Sequence, residues 1–357
     1  MSDSRLWKRI VDRCLPPVVV AEIAQAHEGS LGLAHSYLET AAEAGADAVK
    51  YQVHFAGEES TLREPWRIPF SYEDKSRYDY WKRMEFCASH WEELRKHAGE
   101  LGLFFIGSPF SFRAVELLEA IDSDLLKVAS GEVSNFPLLR RIAASRRSVL
   151  LSSGLSDWKE LDRAVAIFRK AKAPLCILQC TTSYPTRMEE IGLNLIEEME
   201  ERYDLPAGLS DHSGSIFPSL AAAVRGARVL EIHLTYSRAM FGPDAAASLE
   251  PEELNRLVEG VKAVHTMNTH PLQKEAVGGD RALLRATFGR SVVAARDLPA
   301  GTLLQCGDLA LKKPGEGSPP EDLELMLGRR LTQAVGVDDC VRWEHLEEGR
   351  PPKWKPE

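Results

Sequence analysis

The sequence has few cysteines, and none of them forms a pair with the spacing of a metal-binding or disulfide motif. Six cysteines are spread over 357 residues without a CxxC pair. Structural zinc sites are built from such pairs, and small disulfide scaffolds need a much higher cysteine content. We therefore expect neither a disulfide framework nor a structural zinc site, and we predict a reducing, cytoplasmic location.

The sequence also lacks long apolar runs and blocks of basic residues. The longest apolar stretch near the N-terminus, residues 16–24, is interrupted by Glu22 and is too short to span a membrane. No small-residue cleavage site follows a basic start. The 53 acidic residues outnumber the 44 Lys and Arg residues, and the net charge is −9. We expect neither a membrane nor a nucleic acid as a partner.

The rest of the composition is ordinary for a globular protein, and the length predicts about two domains. Short apolar runs alternate with helical patterns from residue 17 to about 265; for example, residues 161, 164, 165 and 168 share one helix face. The predicted strands lie near residues 17–23, 46–52, 103–107, 125–128, 148–152, 174–179, 206–210 and 229–233. Eight strand–helix units predict a (β/α)₈ TIM barrel over residues 1–270. A doubly wound sheet is the competing topology, because alternation alone does not decide closure.

The pattern changes after the predicted barrel. Residues 271–290 are typical of a linker with one short helix. Brief β-type runs follow at 291–294, 303–304 and 309–311, split by proline and glycine. They predict a small β-rich domain over residues 291–357.

Polar side chains lie at or just after the end of every predicted strand. The carboxyl ends of barrel strands converge on one mouth, so these side chains are expected to share a site. The candidates are Glu22, Lys50, Gln52, Ser108, Lys127, Ser130, Glu132, Ser152, Cys180, Tyr184, Ser210, His212, Glu231 and His233.

Lys50 and Lys127 are the two cations among these strand-end residues. Such a lysine can reach the rim, pair with Glu22 or Glu132, form a Schiff base, or bind an anion. The serines at the neighbouring strand ends favour an anion clamp, because a phosphate needs hydroxyl and backbone N–H donors beside its lysines. A Schiff-base site needs only one desolvated lysine.

His212 and His233 follow adjacent predicted strands, and this placement favours a divalent metal site. Two imidazoles with oxygen ligands from Glu22 or water suit an ion such as Mn²⁺ better than a closed zinc site. Such an ion acts as a Lewis acid on a carbonyl. The alternative is that each histidine is a hydrogen-bonded residue at the rim of the barrel and binds no metal.

Three further features are Glu132, Cys180 and the segment 53–90. Glu132 is a candidate general acid/base if it is partly buried near the lysines, and its alternative role is an ion pair with Lys127. Cys180 has no histidine partner visible in the sequence and is interpreted as a small apolar filler. The segment 53–90 is too long for an ordinary connection and predicts a lid or binding loop, with residues 78–83 in lid packing or an interface.

Several motifs together resemble the sialic acid synthases, the nonulosonate synthases of bacteria and animals. The resemblance spans residues 17 to 346, and its motifs occur in order with similar spacing. They are VVAEIAQAHEGS (19–30), AGADAVKYQ (44–52), GSPFS (107–111), LKVASGEVSN (126–135), LLSSG (150–154), QCTTSYP (179–185), GLSDHSG (208–214) and EIHLT (231–235). SVVAARDLPAG and LKKPGEG, within 291–346, are similar to the antifreeze-like (SAF) domain that follows the barrel in that family.

The resemblance implies a condensation of phosphoenolpyruvate with an N-acetylmannosamine-like sugar, which gives a nine-carbon 2-keto acid and phosphate. It implies that His212 and His233 bind Mn²⁺ or Mg²⁺ and that Glu132 moves protons. The residues implied to hold phosphoenolpyruvate are Lys50, Ser108, Lys127, Ser130, Ser152 and Ser210. Those implied to meet the open-chain sugar are Glu22, Gln52, Tyr184 and Asp244.

The family pattern also implies a swapped homodimer, in which an arginine from the partner's SAF domain reaches the sugar. The matching position here is Lys313, and Thr182 stands where the family has asparagine. Both departures lie on the sugar side, so the acceptor stays open between N-acetylmannosamine, its phosphate, and a diacetamido-6-deoxy hexose giving legionaminic- or pseudaminic-type acids. A Schiff-base aldolase using Lys127 or Lys50 and a non-catalytic carbohydrate-binding barrel are the competing hypotheses.

Overall fold

Eight parallel strands close into a barrel, in which each strand pairs with the next and the eighth pairs back to the first. The computed structural model describes residues 5–274 and 281–351. The barrel strands are β1 (Val18–Ala24), β2 (Ala48–Val53), β3 (Phe104–Pro109), β4 (Leu125–Val128), β5 (Val149–Ser152), β6 (Leu175–Cys180), β7 (Ala207–Asp211) and β8 (Val229–His233). Each lies within two residues of its predicted bounds. The barrel is confirmed, and the doubly wound alternative is wrong because β8 is hydrogen-bonded to β1.

Helices follow each barrel strand. They are α1 (Arg5–Val11) before β1, then α2 (Leu31–Glu43), α3 (Ala56–Glu59), α4 (Arg77–Met84), α5 (Ala88–Glu100), α6 (Phe112–Ala120), α7 (Phe136–Ala144), α8 (Trp158–Ala171), α9 (Asn194–Tyr203), α10 (Phe217–Val224) and α11 (Pro251–Thr269). Those other than α1, α3 and α4 form the layer around the barrel. The helix face predicted at 161–168 is the buried face of α8. Within the described part of the chain, no helix combines the length and apolar character that a membrane crossing requires.

The strand alternation decides which side chains enter the barrel. On β1, Val18 and Val20 belong to the interior core, whereas Val19, Ala21 and Ile23 pack in the outer core under the helices. Because side chains two positions apart share a face, Glu22 points inward above Val20. The same period of two places polar residues at the carboxyl ends of the other strands on the inner face.

The N-terminal end of the barrel is closed by α1. Leu6 and Ile10 of this helix are fully buried in the interior core with the starts of the strands. Arg228 fixes the end of α1, because its guanidinium donates to the carbonyl oxygens of Ile10 at 2.8 Å and of Asp12, just after the helix, at 2.6 Å. The barrel interior is therefore accessible from its carboxyl end, where the polar residues lie.

The second unit begins at Pro271 and has its own small core. It contains α12 (Arg281–Phe288), β9 (Ser291–Ala294), β10 (Leu309–Lys312) and α13 (Leu323–Met326), and β9 pairs antiparallel with β10. The predicted strand at 303–304 forms only an isolated bridge between Leu303 and Arg330. Residues 275–280 of the predicted linker, and residues 1–4 and 352–357 at the termini, lie outside the described residues.

Candidate active site

A cavity of about 400 Å³ lies at the carboxyl end of the barrel. Small-molecule sites typically have volumes of about 300–1,000 Å³, so the cavity has the size of a ligand site. Most of the predicted site residues line it, namely Glu22, Lys50, Gln52, Lys127, Ser130, Glu132, Ser152, Tyr184, Ser210, His212, His233 and Asp244. Ser108 does not line the cavity; it is buried, and its hydroxyl lies 3.4 Å from Lys50 Nζ.

The floor of the cavity is a buried cluster of two lysines and two glutamates. Glu231 accepts from Lys127 Nζ at 2.7 and 3.0 Å, and its Oε1 also lies 3.5 Å from Lys50 Nζ. Lys50 Nζ makes a second ion pair with Glu22 Oε1 at 3.0 Å. Both ammonium groups are thus within 3.5 Å of one carboxylate oxygen. The predicted pairing with Glu22 is present for Lys50, whereas Lys127 pairs with Glu231 rather than Glu132.

Burial and charge act in opposite directions on these four groups. Burial raises the pKa of Glu22 and is only partly offset by Lys50. Burial also acts on Glu231, but the Lys127 and Lys50 ammonium groups outweigh it and hold the pKa of Glu231 well below its usual range. Burial lowers the pKa of Lys127. Burial also acts to lower the pKa of Lys50, but Glu22 and Glu231 outweigh it, and the pKa of Lys50 is raised. Glu231 is therefore the anion that holds the two lysines together.

Hydroxyl groups surround this charged floor. Ser210 Oγ donates to Glu231 Oε1 at 2.9 Å, and Ser130 Oγ lies 3.3 Å from Cys180 Sγ. Within the described residues, Ser152 Oγ is buried without a hydrogen-bond partner. A Cβ at Gly154 would lie 2.7 Å from Ser130 Oγ, so glycine keeps this side of the cavity open. The set provides the donors that an anionic group needs beside its lysines.

His212 and His233 face each other at one side of the cavity. Their ring centroids are 5.3 Å apart, and the Tyr184 ring stacks on His212 at 4.1 Å. His212 Nδ1 donates to the Thr181 carbonyl at 3.0 Å, and Tyr184 Oη lies 3.2 Å from His212 Nε2. Burial lowers the pKa of His233 to about 3, so this imidazole is neutral at pH 7.

The donor chemistry of the histidine pair fits a divalent ion, although the pair does not form a complete ligand set. A carbonyl bond to Nδ1 leaves the lone pair of His212 on Nε2, which lies beside Tyr184 Oη, and a carbonyl bond of this kind is usual for a metal-bound histidine. A neutral His233 can likewise supply a lone pair. However, no group of three or more His, Cys, Asp or Glu side chains suited to holding a metal ion occurs in the described residues. Further ligands would have to come from substrate or water.

Cys180 has a histidine neighbour that the sequence did not reveal. Its Sγ lies 4.0 Å from His212 Nδ1. Burial disfavours the thiolate, but the contact with His212 outweighs burial and lowers the pKa of Cys180 to about 7. The thiol is buried, as the interpretation of Cys180 as a small packing residue requires, and the end of β6 places it beside a residue that follows β7.

The long segment between β2 and α5 forms one wall of the cavity. Its Trp66, Arg67, Phe70, Tyr80 and Trp81 are among the lining residues. The Arg67 guanidinium pairs with Asp244 Oδ1 at 2.5 Å and lies 4.1 Å from the centroid of the Tyr184 ring. The segment thus contributes directly to the site, as a binding loop would.

Comparison with known proteins gives the chain a family. The model of the NeuB family matches residues 37–272, and the model of the SAF domain matches residues 289–347. The chain belongs to the NeuB family. It is 35% identical over 338 residues to N-acetylneuraminate-9-phosphate synthase of Mus musculus, which covers 93% of each chain. It is 30% identical to N,N'-diacetyllegionaminic acid synthase of Campylobacter jejuni, with 91% of this chain and 98% of the relative covered.

A solved structure supports the same assignment to the NeuB family. The N-acetylneuraminic acid (sialic acid) synthetase of Leptospira borgpetersenii superposes with a TM-score of 0.67 at 30% identity, covering 76% of this chain and 92% of that chain. The SAF match lies within the second unit and includes β9 and β10. The predicted SAF domain is therefore confirmed.

Two predicted site residues of this NeuB-family chain lie apart from the charged floor. Glu132 is half-buried and accepts from Asn135 Nδ2 at 2.8 Å, and burial raises its pKa. It lines the cavity without an ion pair to either lysine among the described contacts. Lys313 belongs to the second unit, where its Nζ lies 5.8 Å from the centroid of the Phe288 ring.

Two other residues take a larger part in this NeuB-family cavity than the sequence indicated. Glu231 appeared only as one strand-end residue, although its spacing of two from His233 could have placed both on the inner face. Arg67 lies in a stretch of irregular backbone between α3 and α4. No periodicity or motif signals that it reaches Asp244.

Proposed function

We propose that this NeuB-family chain condenses phosphoenolpyruvate with an open-chain, N-acetylmannosamine-like amino sugar to form a nonulosonic acid and phosphate. One observation carries the proposal: both Lys50 and Lys127 ammonium groups lie within 3.5 Å of a single oxygen of Glu231, at the floor of a hydroxyl-lined cavity. Phosphoenolpyruvate carries a carboxylate and a phosphate close together, and paired cations with serine donors suit such an anion. The names of the relatives, N-acetylneuraminate-9-phosphate synthase and N,N'-diacetyllegionaminic acid synthase, support the product class, a nonulosonic acid.

In this reaction, C3 of phosphoenolpyruvate forms a bond to the aldehyde carbon of the sugar. Water adds at C2, and the bond between C2 and the phosphate oxygen breaks, so that phosphate leaves. Lys50 and Lys127 hold the anionic groups and offset charge where it develops, which is the largest catalytic contribution in many enzymes. Glu132, whose pKa burial raises, is placed in the cavity to transfer the accompanying protons.

The sugar would lie between the floor and the wall built by segment 53–90. Glu22, Gln52, Tyr184 and Asp244 are the polar groups on that side, and they are proposed to orient its hydroxyls. Positioning two reactants is worth several kcal/mol of barrier, on the order of 7 kcal/mol or more in well-oriented cases. Aromatic side chains of the wall exclude water from the reacting carbons.

His212 and His233 are the residues that would hold a divalent ion, Mn²⁺ or Mg²⁺. When bound there, such an ion polarises an aldehyde oxygen as a Lewis acid. The Thr181 carbonyl fixes the His212 tautomer that this role requires. Tyr184, stacked on His212, limits how far the ring can turn.

The ion pairs of the cavity do not select one acceptor sugar. The two arginines among the described cavity-lining residues are both paired, Arg67 with Asp244 and Arg77 with Glu64 at 3.2 Å. The lysines of the floor are also paired with carboxylates, so an ion pair does not by itself exclude an anionic group of a substrate. The proposed acceptors are therefore N-acetylmannosamine, its phosphate and a diacetamido-6-deoxy hexose.

The experiment is a phosphate-release assay with phosphoenolpyruvate, a divalent ion and a panel of acceptors, followed by mass spectrometry of the acid formed. The panel contains N-acetylmannosamine, its 6-phosphate and diacetamido-6-deoxy hexoses. Release that requires phosphoenolpyruvate, an aldose and the ion supports the proposal. Activity that survives chelation would contradict the metal assignment, and the acceptor with the highest kcat/KM identifies the sugar.

A Schiff-base aldolase is the alternative function. Burial lowers the pKa of Lys127, and a lysine with a lowered pKa can act as a nucleophile. Two contacts with Glu231 nevertheless hold its Nζ as a hydrogen-bond donor. Turnover with pyruvate and borohydride trapping of a pyruvate adduct would identify this alternative. Sugar binding that needs neither phosphoenolpyruvate nor a metal would instead identify a non-catalytic binding protein.

We also propose that the working form is a homodimer in which the SAF domain of one chain completes the site of the other, with Lys313 at the position that approaches the sugar. A lysine donates to hydroxyl groups as a point charge, without the bidentate geometry of an arginine. The support is the family resemblance of the second unit.

A further inference from the structure

A chain of buried hydrogen bonds connects Glu59, on the cavity wall, to Glu22, on its floor. His54 Nδ1 lies 2.6 Å from Glu59 Oε1, and His54 Nε2 lies 2.7 Å from Gln25 Nε2. Gln25 Nε2 also donates to Gln52 Oε1, and Gln52 Nε2 donates to Glu22 Oε1 at 3.0 Å. All five side chains line the cavity. His54, Glu59 and Gln25 were not among the predicted site residues.

The His54 ring is fixed in place from both sides. Trp81 stacks on one face with a centroid distance of 4.2 Å, and Phe110 stacks on the other at 4.5 Å. Only 4% of the His54 surface is exposed. The ring can therefore neither turn nor exchange its partners for water, and its two nitrogens keep distinct roles.

The carboxylate at one end sets the direction of every hydrogen bond in the chain. An ionised carboxylate only accepts, so His54 Nδ1 carries the proton that it donates to Glu59. His54 Nε2 also lies 3.2 Å from Gln52 Oε1, but the Gln25 amide nitrogen at 2.7 Å can only donate, so Nε2 accepts from Gln25. The second proton of Gln25 Nε2 goes to Gln52 Oε1. Because Gln52 Oε1 accepts this proton, the Nε2 of the same carboxamide faces Glu22.

The chain ends at the one group of the floor that has an open acceptor. Glu22 Oε1 receives Gln52 Nε2 and also pairs with Lys50 at 3.0 Å. Glu22 Oε2 is buried and has no hydrogen-bond partner among the described residues. An unpaired buried carboxylate oxygen is costly, so a donor from a bound molecule would be stabilising there.

We propose that His54, braced by Glu59, is a positioning residue of the acceptor-sugar site. It orients the Gln25 and Gln52 carboxamides so that Glu22 presents Oε2 to a hydroxyl of the bound sugar. This inference rests on the proposed function for the identity of the ligand, whereas the orienting role of His54 belongs to the protein alone.

The test compares His54→Phe with the wild-type enzyme in steady-state kinetics. Phenylalanine keeps the stack between Trp81 and Phe110 but has no ring nitrogen. The KM for the amino sugar is expected to rise on the order of tenfold, which corresponds to the loss of about one net hydrogen bond. The KM for phosphoenolpyruvate is expected to stay within about twofold, because the lysine floor is untouched.

Two further variants separate positioning from general damage. Glu59→Gln is nearly isosteric, but its amide can accept from His54 or donate to it, so the direction of the chain is no longer fixed. It is expected to raise the KM for the amino sugar, by less than His54→Phe does. His97→Phe is the matched control, because His97 bonds to another histidine, His35, on the helical layer outside the cavity. It is expected to leave both KM values unchanged.

The outcomes distinguish this inference from the proposed function. An unchanged KM for the sugar in His54→Phe, or an equal rise in both KM values, would overturn the role of His54. If wild-type enzyme turns over no acceptor, the proposed function fails, and crystal structures of the two variants decide the inference. A Gln52 side chain displaced from Glu22 in His54→Phe supports it, and an undisturbed Gln52–Glu22 contact overturns it.

Discussion

Replacing Glu231 by glutamine tests the charge arrangement on which the site is built. The side chain keeps its volume and can still bond Ser210, but the carboxylate that faces both lysines is lost. Lys127 would lose the partner it contacts at 2.7 and 3.0 Å, and Lys50 would lose the one at 3.5 Å. Removing one partner of a buried ion pair typically costs about 3–5 kcal/mol. We expect Glu231→Gln to lower the free energy of unfolding by that amount.

The measurement is urea denaturation of wild type, Glu231→Gln and a surface control. Glu197→Gln is the control, because Glu197 pairs with Arg225 at 2.8 Å while its side chain is 48% exposed. Exposed pairs contribute only about 0–1 kcal/mol. A loss in Glu231→Gln no larger than the loss in Glu197→Gln would refute the reasoning that Glu231 holds the two lysines.

The pH dependence of the same difference identifies its electrostatic origin. Although burial opposes ionisation, Lys127 and Lys50 hold the pKa of Glu231 below its usual range in the folded protein. A carboxyl with a depressed folded-state pKa stabilises the fold above the unfolded-state pKa of about 4.3, and that stabilisation is lost as the pH falls through the folded-state pKa. The gap between wild type and Glu231→Gln should therefore narrow below about pH 4. A gap that stays constant on acidification would contradict a charge effect.

Three other changes have defined outcomes. Gly208→Ala places a Cβ 2.3 Å from the Val229 carbonyl oxygen. We expect thermal unfolding to show that the free energy of unfolding falls by about 1–3 kcal/mol. Gly131→Ala is the control, because a Cβ there meets nothing within 4 Å, and it should unfold like wild type. His233→Ala should abolish metal-dependent turnover with unchanged circular dichroism, and wild-type activity in this variant would contradict the metal assignment. Deleting residues 291–357 should remove turnover while the barrel stays folded; a fully active truncated monomer would contradict the shared dimeric site.

The barrel was predictable because its strands follow simple rules of pattern. Each buried run is short, apolar and followed by a polar strand end, so the bounds of β4 and β8 agree with the predictions at both ends. The small strands of the second unit were harder, since the run at 303–304 makes only a bridge. Two residues offer too little periodicity to separate a strand from a turn.

The sequence predicted which residues line the cavity better than it predicted which of them contact each other. Lys127 lies on β4 and Glu231 on β8, four strands apart in the ring, and only the closed barrel brings them to 2.7 Å. Sequence proximity instead suggested Glu132 as the partner of Lys127. Similarly, His54 was invisible because its partners come from the turn after β1, from α3 and α4, and from the turn after β3.

The pairing of β1 has a consequence for how this cavity can change. Glu22 is in register with Lys50 of β2 on one side and with His233 of β8 on the other. A one-residue insertion in β1 would turn its carboxylate toward the helices and draw an apolar neighbour into the anion pocket. The segment between β2 and α5 is free of that constraint, since its length does not alter any strand register. Changes in the length or sequence of this wall can therefore alter the shape of the cavity while the charged floor keeps its register.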